Sequence, residues 1–494
     1  MFLGLDLGTT NVKAVVADAH GRVVARGAAP VELIHGPDGA VEQDIEAIAS
    51  AAVSAIAAAG AGADLSAVQA VGVSAQGGAL QVLDGDDKPV GRVVSWLDGR
   101  GRRFDEQIAR DMGADNLAAR TGHPRGTMAL GQLLRLREQS PALLAAPNRI
   151  GLVGDVMVGR LCGRRAHDAT SLSCAVLLNP SLGRADPDML ARVGLAEDQL
   201  PDLLGPREAA GGLSEAVAQA TSRAASCGLP VGVPVSPAVH DQYAAALGVR
   251  ATAPGDVMFG AGTAWSLTAV ADRLVQPLPD AGFVCTHLAE GRFGQIVSMG
   301  NGGSSVAWAL ALIGLKDADG ETIDDLLASV PPGADGLRFW PFLAPTGGAG
   351  LAPGTAGRLD GLRLAHGPGH LLRGVVEGLA LELARYLRLL AEAGMPAERL
   401  IMCGGAAGSR VTPQIVADAA SVPVTCSAEA DTSALGAAML AAGLLAPDTP
   451  LAEIAAAMAP PDRPVAPGPE AKRYRDMLDE YLAAIPLAGG GPNS

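Results

Sequence analysis

Two acidic residues, far apart in the chain, stand where a carboxylate is costly unless it is paired or used. Asp6 follows the apolar run FLGL, and Asp241 lies between the strand-like segment SPAVH and the helix-like segment AAALG. Burial of an unpaired carboxylate is unfavourable, so both positions indicate a bound cation, hydrogen-bond donors or a chemical role. His240, beside Asp241, is more typical of a satisfied strand-end residue than of a catalyst.

The segment DLGTTNVK around Asp6 has the composition of a phosphate-binding turn. Gly8 lets the backbone turn tightly. The hydroxyl, amide and ammonium donors that follow it are Thr9, Thr10, Asn11 and Lys13. Asp6 would repel a phosphate unless Mg²⁺, bound through water, lies between them. A β-hairpin with exposed polar residues is the alternative.

Two further turns are built from small residues. The segment GAGT, at 260–263, suits a second phosphate. The segment CGGAAGS, at 403–409, ends an apolar strand ahead of a helix and leaves space for a flat ring against the backbone. Alone, each is equally compatible with an ordinary hairpin or strand-to-helix loop.

The segment SWLDGR combines an aromatic ring, a carboxylate and a guanidinium at Trp96, Asp98 and Arg100. Together these groups suit a polyhydroxylated ligand, which needs paired polar contacts and an apolar plane. A surface Asp–Arg pair is the alternative.

The elements around these residues are typical of an α/β fold. The opening predicts strand, turn and strand, with a hairpin at AHG and a helix over 44–59. Further strands are predicted in VQAVGVSAQGG, GALQVLD and VGRVVSWLDGRG, helices over 102–144, and long helices over 369–392 and 412–420. LDLGTTNVKAV aligns with FGAGTAWSLTAV so that Gly8–Thr9 match Gly262–Thr263, which suggests a duplicated domain with a cleft between the halves.

Composition limits the function classes. The 494 residues carry a net charge of -15, which argues against a nucleic-acid-binding surface. The six cysteines form no C-x-x-C pair and fit a reducing compartment. The N-terminus lacks the basic region of a signal peptide, and no run predicts a membrane span. We therefore expect a cytoplasmic protein with a small-molecule partner and neither nucleic-acid nor membrane partners.

Several nucleotide-binding and hydrolase signatures are absent from the sequence. There is no Gly-Lys pair, which excludes a P-loop, and no G-x-G-x-x-G opens a helix after a strand. G-x-S-x-G and zinc-ligand spacing are also missing.

Five segments in order resemble the FGGY carbohydrate kinases, which include xylulose, glycerol, ribulose and rhamnulose kinases. They are LGLDLGTTNVKAVVAD, SWLDGR, HDQYAAALG, GDVMFGAGTAWSL and CGGAAGSRVTPQIVADAASVPV. The resemblance implies two ribonuclease-H-like lobes of the actin and Hsp70 superfamily around a central cleft. It also implies ATP and Mg²⁺ in the cleft, phosphoryl transfer to a sugar or polyol hydroxyl, and a homodimer by analogy alone.

The same resemblance implies a role for each motif residue. Asp6 matches the carboxylate near the metal and Asp241 the general base. The residues implied at ATP are Thr9, Thr10, Asn11, Lys13, Gly262, Thr263, Gly404, Gly405 and Ser409. Those implied at the sugar are Gln76, Trp96, Asp98, Arg100 and Gln242.

The chain departs from the family pattern in three places. Xylulose kinases usually read Ser-Gly-Gln-Met-His-Gly where this chain has SAQGGA, so Gly77 and Gly78 replace Met and His. The residue before the base is His240 in place of Gly, as in rhamnulose kinases, and PTGGAGLAPGTAG replaces the usual Gly-Glu-Arg stretch. These changes put D-xylulose in doubt as the substrate.

The sequence thus predicts an N-terminal lobe over 1–247, a C-terminal lobe over 248–485 and a disordered tail over 486–494. The predicted activity is ATP-dependent phosphorylation of a sugar, with a ketopentose such as xylulose first. Ribulose, rhamnulose, glycerol and erythritol are alternative acceptors. A non-catalytic sugar-binding regulator and an Hsp70- or actin-like ATPase are alternatives of a different class.

Overall fold

The computed structural model describes residues 1–225, 228–278, 281–343, 349–352 and 354–487. In the first half the strands are β1 (Phe2–Leu7), β2 (Asn11–Ala17), β3 (Val23–Pro30), β4 (Ile34–His35), β5 (Val41–Gln43), β6 (Ala70–Ala75), β7 (Leu80–Leu83), β8 (Val93–Val94), β9 (Arg149–Leu152), β10 (Ala166–His167), β11 (Leu178–Asn179), β12 (Arg184–Ala185), β13 (Asp202–Leu203), β14 (Gly211–Gly212) and β15 (Pro234–His240). The helices are α1 (Ile45–Gly60), α2 (Arg102–Met112), α3 (Ala114–Thr121), α4 (Ala129–Gln139), α5 (Val153–Cys162), α6 (Ala169–Cys174), α7 (Pro187–Val193), α8 (Glu215–Ala224) and α9 (Asp241–Gly248).

The second half contains the remaining elements. Its strands are β16 (Asp256–Ala261), β17 (Trp265–Ala271), β18 (Gly282–Thr286), β19 (Phe293–Ser298), β20 (Arg338–Trp340), β21 (Arg358–Asp360), β22 (Arg399–Cys403), β23 (Val424–Ser427) and β24 (Asp462–Val465). Its helices are α10 (Gly303–Leu312), α11 (Gly320–Ala328), α12 (Pro368–Glu392), α13 (Thr412–Ala420), α14 (Thr432–Leu444), α15 (Leu451–Ala457) and α16 (Ala471–Ala484).

Each half has one main sheet that begins with a hairpin, and the first half also has a five-stranded sheet of order β4-β5-β8-β7-β9. The first main sheet has the order β13-β10-β15-β6-β1-β2-β3, and the second β18-β19-β17-β16-β22-β23-β24. In the first, β1 pairs antiparallel with β2 and parallel with β6. In the second, β16 pairs antiparallel with β17 and parallel with β22. The weak sequence repeat therefore corresponds to two equivalent hairpins, whose turns carry Gly8–Thr9 and Gly262–Thr263.

Helix α14 belongs to the second half of the chain but packs on the first sheet. A Cβ added to Gly4 of β1 would lie 1.8 Å from the Ala434 carbonyl oxygen, and one added to Gly72 of β6 would lie 1.8 Å from that of Ala437. A Cβ on Gly436 would lie 1.8 Å from the Ala244 carbonyl oxygen of α9. Only residues without side chains allow this approach of backbone to backbone. It places the start of α14 beside the ends of β1 and β6.

Local predictions agree with the structure to different degrees. The predicted helix over 44–59 is α1, and Asp44 caps it by accepting a hydrogen bond from the Glu46 backbone N–H. The predicted strand in VGRVVSWLDGRG is wrong beyond Val93–Val94. The Asp98 side chain accepts from the Val41 and Arg100 backbone N–H groups, which folds the segment into a turn.

The predicted boundary after residue 247 falls near the end of α9 and stays a prediction. Of the predicted tail, Pro486 and Leu487 form backbone contacts with Ala352 and Leu351, while 488–494 lie outside the described residues. The replaced stretch at 345–357 lies partly outside them as well. Within the described residues, no helix is both long and apolar enough to cross a membrane.

Candidate functional site

Asp6 and Asp241 lie at the same edge of the first sheet. Strand β6 runs between β1 and β15, and Ser74 pairs with Asp6 on one side and with Val239 on the other. Neighbouring strands are about 4.8 Å apart, so β1 and β15 are separated by roughly 10 Å. Asp241 follows β15 directly as the first residue of α9. Asp6 and Asp241, which are 235 positions apart in the sequence, therefore lie near each other at one edge of the sheet.

The Asp6 carboxylate is poorly neutralised by the protein. Ser74 Oγ donates a 2.7 Å hydrogen bond to Asp6 Oδ1. Burial, reinforced by the negative charge of Asp241, raises the pKa of Asp6 to about 7, against the opposing effects of Ser74 and Lys13. A buried carboxylate whose pKa is raised by a second carboxylate favours a cation beside it.

Lys13 faces Asp6 across the β1–β2 ladder but is already paired. Its Nζ lies 2.9 Å from Asp431 Oδ1, just before α14. Arg26 of β3 forms a second ion pair across the same boundary with Glu429, at 2.6 Å. The acidic side chains of Asp6, Asp241, Glu429 and Asp431 outnumber the basic ones of Lys13 and Arg26, and this excess of acidic groups suits a divalent cation.

The few carboxylates near Asp6 fit a metal ion that is also bound by water and by substrate phosphates. Among the described residues, no group of three or more histidine, cysteine or acidic side chains is arranged to hold a metal. Mg²⁺ often keeps several waters and uses one or two carboxylates together with substrate phosphates. Asp6 suits that role.

Asp241 is held by its neighbour. The His240 Nε2 atom lies 3.2 Å from Asp241 Oδ1, and the Asp241 side chain is 27% exposed. Burial raises the pKa of Asp241 to about 7, an effect reduced by the Gln242 backbone N–H. Burial lowers the pKa of His240 to about 4, so its imidazole is neutral at physiological pH. The arrangement provides a carboxylate that can accept a proton near neutrality.

The first turn presents its polar groups at this edge. Thr10 and Asn11 are exposed or partly exposed, and the Thr10 hydroxyl accepts a 3.2 Å hydrogen bond from Asn11 Nδ2. The Thr9 hydroxyl accepts from Trp96 Nε1 at 2.9 Å. The Thr9 carbonyl oxygen accepts from Gln43 Nε2 at 2.8 Å. The predicted phosphate turn and the predicted sugar residue Trp96 are therefore in direct contact.

The second turn lies between two other segments. The Gly303 N–H donates to the Gly262 carbonyl at 3.0 Å, and the Ser304 N–H donates to the Thr263 carbonyl at 2.9 Å, so α10 begins against this turn. Gly404 has φ +88°, and a Cβ there would lie 3.0 Å from the Ala261 carbonyl oxygen. The GAGT and CGGAAGS turns therefore touch, as a site shared by phosphates and an adenine ring requires.

The residues of CGGAAGS are not equivalent. No described atom lies within 4 Å of a Cβ added to Gly405, so this position faces open space. The Ser409 hydroxyl, by contrast, donates to Asp324 and accepts from the Thr412 N–H at 2.9 Å, at the start of α13. The role of Ser409 at the nucleotide stays a prediction, because its side chain is already bonded.

The predicted sugar residues fall into two groups. Trp96 is 44% exposed, and Gln76 is 3% exposed with Oε1 unpartnered among the described residues. Asp98 and Arg100 are bonded to each other at 2.6 Å. Gln242 accepts a 3.3 Å hydrogen bond from Ser266 Oγ of β17. Trp96 and Gln76 retain groups for a ligand, whereas sugar contacts by Asp98, Arg100 and Gln242 stay predictions.

Comparison with known families decides the class of this site. Residues 1–248 match the N-terminal domain of the FGGY family of carbohydrate kinases, and residues 260–444 match its C-terminal domain. The chain belongs to the FGGY family of carbohydrate kinases. It is a phosphotransferase with a sugar hydroxyl as acceptor, and the two ribonuclease-H-like lobes expected from the sequence are confirmed.

Relatives of this FGGY kinase are named for different substrates. The xylulose kinase of Streptomyces rubiginosus is 30% identical over 460 residues, covering 92% of this chain and 89% of the relative. The gluconokinase of Bacillus licheniformis is 25% identical over 449 residues, covering 89% and 86%. The structure of xylulose kinase from Rhodospirillum rubrum superposes with a TM-score of 0.87 at 25% identity, covering 98% and 97%.

Several residues of the site in this FGGY kinase escape sequence reasoning. All of them are recognised only by contacts with distant residues. Ser74 donates to Asp6, Asp431 pairs with Lys13, and the segment Asn301–Ser304 bonds to the second turn. The segment reads NGGS, and its paired glycines before an apolar helix were the one local signal available. Ser74 and Asp431 have no such signal in the sequence around them.

Proposed function

We propose that this kinase transfers the γ-phosphoryl group of MgATP to a hydroxyl of a sugar or polyol, with a ketopentose such as xylulose as the first acceptor to test. The observation that carries the proposal is that Asp6 and Asp241 lie at the ends of the two strands on either side of β6, beside the turn between β1 and β2. One carboxylate serves the nucleotide side and the other serves the acceptor side.

Asp241 acts as the general base. It accepts a hydrogen bond from the attacking hydroxyl, orients its lone pair and takes the proton as the new P–O bond forms. A pKa of about 7 leaves a large fraction of the carboxylate ionised at neutral pH and still basic enough to hold a proton. Base assistance contributes about 10²–10⁴ in rate, or roughly 3–5 kcal/mol.

Asp6 holds the metal side of the nucleotide. When bound there with the phosphates, Mg²⁺ supplies charge neutralisation for the transferring group. Thr9, Thr10 and Asn11 offer donors to the phosphates, and Lys13 offers a positive charge if it is released from Asp431. Gly262, Thr263, Gly404 and Gly405 receive the rest of the nucleotide.

The acceptor site is made by Gln76 and Trp96, with Asp98, Arg100 and Gln242 around it. The relatives named above are a xylulose kinase and a gluconokinase, so the family alone leaves the acceptor open. Ribulose, rhamnulose, glycerol and erythritol remain on the panel. The Gly77 and Gly78 replacements bear on the shape of this pocket, and a cytoplasmic, dimeric state stays a prediction.

The test couples ADP release to a panel of ketopentoses, deoxyketoses, aldonates, glycerol and erythritol. Acceptor-stimulated ADP release with a phosphorylated product supports the proposal. ADP release indifferent to every acceptor indicates an Hsp70- or actin-like ATPase, and acceptor binding without release indicates a sugar-binding regulator. With the best acceptor, Asp241→Asn should lower kcat by at least about 100-fold and leave the nucleotide Kd within a factor of two.

A further inference from the structure

The imidazole of His240 occupies the space above Gly77. A Cβ added to Gly77 would lie 2.6 Å from both His240 Cδ2 and His240 Nε2, and 2.7 Å from Cys174 Sγ. Real Cβ atoms essentially never approach other heavy atoms so closely. Any side chain at 77, including the Met that xylulose kinases carry there, is therefore incompatible with His240 in this position.

The adjacent position shows the same replacement. Gly78 has φ +70°, and a Cβ there would lie 2.5 Å from Cβ of Met128, a residue of the loop before α4. The space beside Gly77 and Gly78 is thus filled by His240 and Met128, from two distant parts of the chain.

His240 also contacts the base directly. Its Nε2 lies 3.2 Å from Asp241 Oδ1, whereas its buried Nδ1 has no hydrogen-bond partner among the described residues. The ring therefore lies against one oxygen of the carboxylate, Oδ1, and limits the rotation of the Asp241 side chain on that side.

The backbone of His240 is fixed independently of its ring. The His240 N–H donates to Thr170 Oγ1 at 2.9 Å, and the Thr170 hydroxyl donates to Asp168 at 2.6 Å. Asp168 is buried and caps α6, so this chain of bonds anchors the end of β15. A change to the ring alone should therefore leave the strand in place.

We propose that His240 is a positioning residue for Asp241, and that the absence of a side chain at Gly77 is the condition for it. The proposal rests on the proposed function, since it assigns a task to His240 in the same transfer. It also means that Gly77 and His240 form a matched pair, in which a side chain at 77 is tolerated only when the ring at 240 is removed.

The positioning role is tested with two amides of different length. The amide nitrogen of glutamine reaches about as far from Cα as His Nε2, whereas that of asparagine matches Nδ1 and falls short of Asp241. His240→Asn should lower kcat about 10- to 100-fold, since small displacements of a catalytic group cost this much. His240→Gln should recover most of the loss, with the MgATP Kd unchanged within a factor of two in both variants.

Equal loss in the two amide variants, or no loss in either, would overturn the positioning role. If the native protein transfers phosphoryl to no acceptor on the panel, the proposed function fails and this role fails with it. An active native enzyme whose His240 variants behave alike refutes the inference alone.

The matched pair is tested by thermal unfolding, which needs no substrate. Because Cys174 Sγ also meets a Cβ at 77, all variants carry Cys174→Ala. In that background Gly77→Ala should lower the unfolding midpoint by about 2–6 °C, because it overpacks a buried site. Adding His240→Ala should remove most of that loss, and the same loss with and without His240 would disprove the steric match.

Discussion

Asp241, the proposed base, should destabilise the folded protein. The pKa of Asp241 is raised from 3.8 to about 7 by burial. The folded state therefore holds a proton that the unfolded chain has lost between these values, and stability falls as the pH rises through that window. Asp241→Asn keeps the shape and removes the charge, so it should make the ligand-free enzyme more stable above pH 7.

The expected gain in the free energy of unfolding follows from the pKa shift of Asp241. A change of about 3 pKa units at about 1.36 kcal/mol each sets an upper limit of about 4 kcal/mol. The Asp241 side chain is 27% exposed, and solvent screening reduces that limit to about 2 kcal/mol. Unfolding entropies of about 2.1 cal/mol/K per residue convert this gain into a rise of about 2–4 °C in midpoint, depending on whether one lobe or the whole chain unfolds together.

The assay is thermal unfolding of the native protein and of Asp241→Asn at pH 8 and at about pH 4, without nucleotide or Mg²⁺. At pH 8 the variant should unfold at the higher temperature. At the lower pH the native carboxyl is protonated, resembles the amide in size and charge, and the difference should disappear. A variant no more stable at pH 8, or one equally shifted at both values, would show that burial does not penalise this carboxylate.

Three further changes probe the nucleotide side and the packing. Lys13→Ala should raise the Kd of ADP about tenfold, because a phosphate loses a charged partner, while Lys88→Ala, an exposed lysine, should leave it unchanged; equal effects of the two would refute the assignment. Gly405→Ala should weaken ADP binding without lowering the unfolding midpoint, whereas Gly320→Ala, also in open space, should change neither; unaltered ADP affinity in the first would remove Gly405 from the site. Gly436→Ala should destabilise the fold by about 3 kcal/mol or more, because its Cβ collides with a backbone carbonyl of α9, and a normal midpoint would show that α14 can shift without cost.

The two Gly-Thr turns and the places of both carboxylates could be predicted because their signals are local, while the phosphate-binding role of the turns stays a prediction. A Gly-Thr pair between apolar strands can be recognised from about ten consecutive residues, as at Gly8–Thr9 and at Gly262–Thr263. An aspartate at the end of a buried run is equally visible. Strands β1 and β15 both run parallel to β6, so their carboxyl ends lie at the same edge of the sheet. This places Asp6 and Asp241 at that edge.

The contacts around Gly77 and Gly78 could not be predicted, because they join residues that no local pattern connects. Gly77 and Gly78 look like losses in the sequence, since the side chains expected there are missing. The replacements come from His240 and Met128, 163 and 50 positions further along the chain. A departure from a family pattern thus shows that a contact has changed, but only the fold shows which residue has taken its place.

Three of the glycines in this chain have a structural role at the boundary between the lobes. Gly4, Gly72 and Gly436 each lie where a Cβ would come within 2 Å of a carbonyl oxygen, so α14 contacts the first sheet and α9 through backbone atoms. That close approach also brings Asp431, just before α14, to Lys13 on the opposite lobe. A bulkier interface would move the start of α14 outward and carry Asp431 away from Lys13. The glycines at this interface therefore also fix the distance between Asp431 and Lys13, the residue proposed to face the nucleotide.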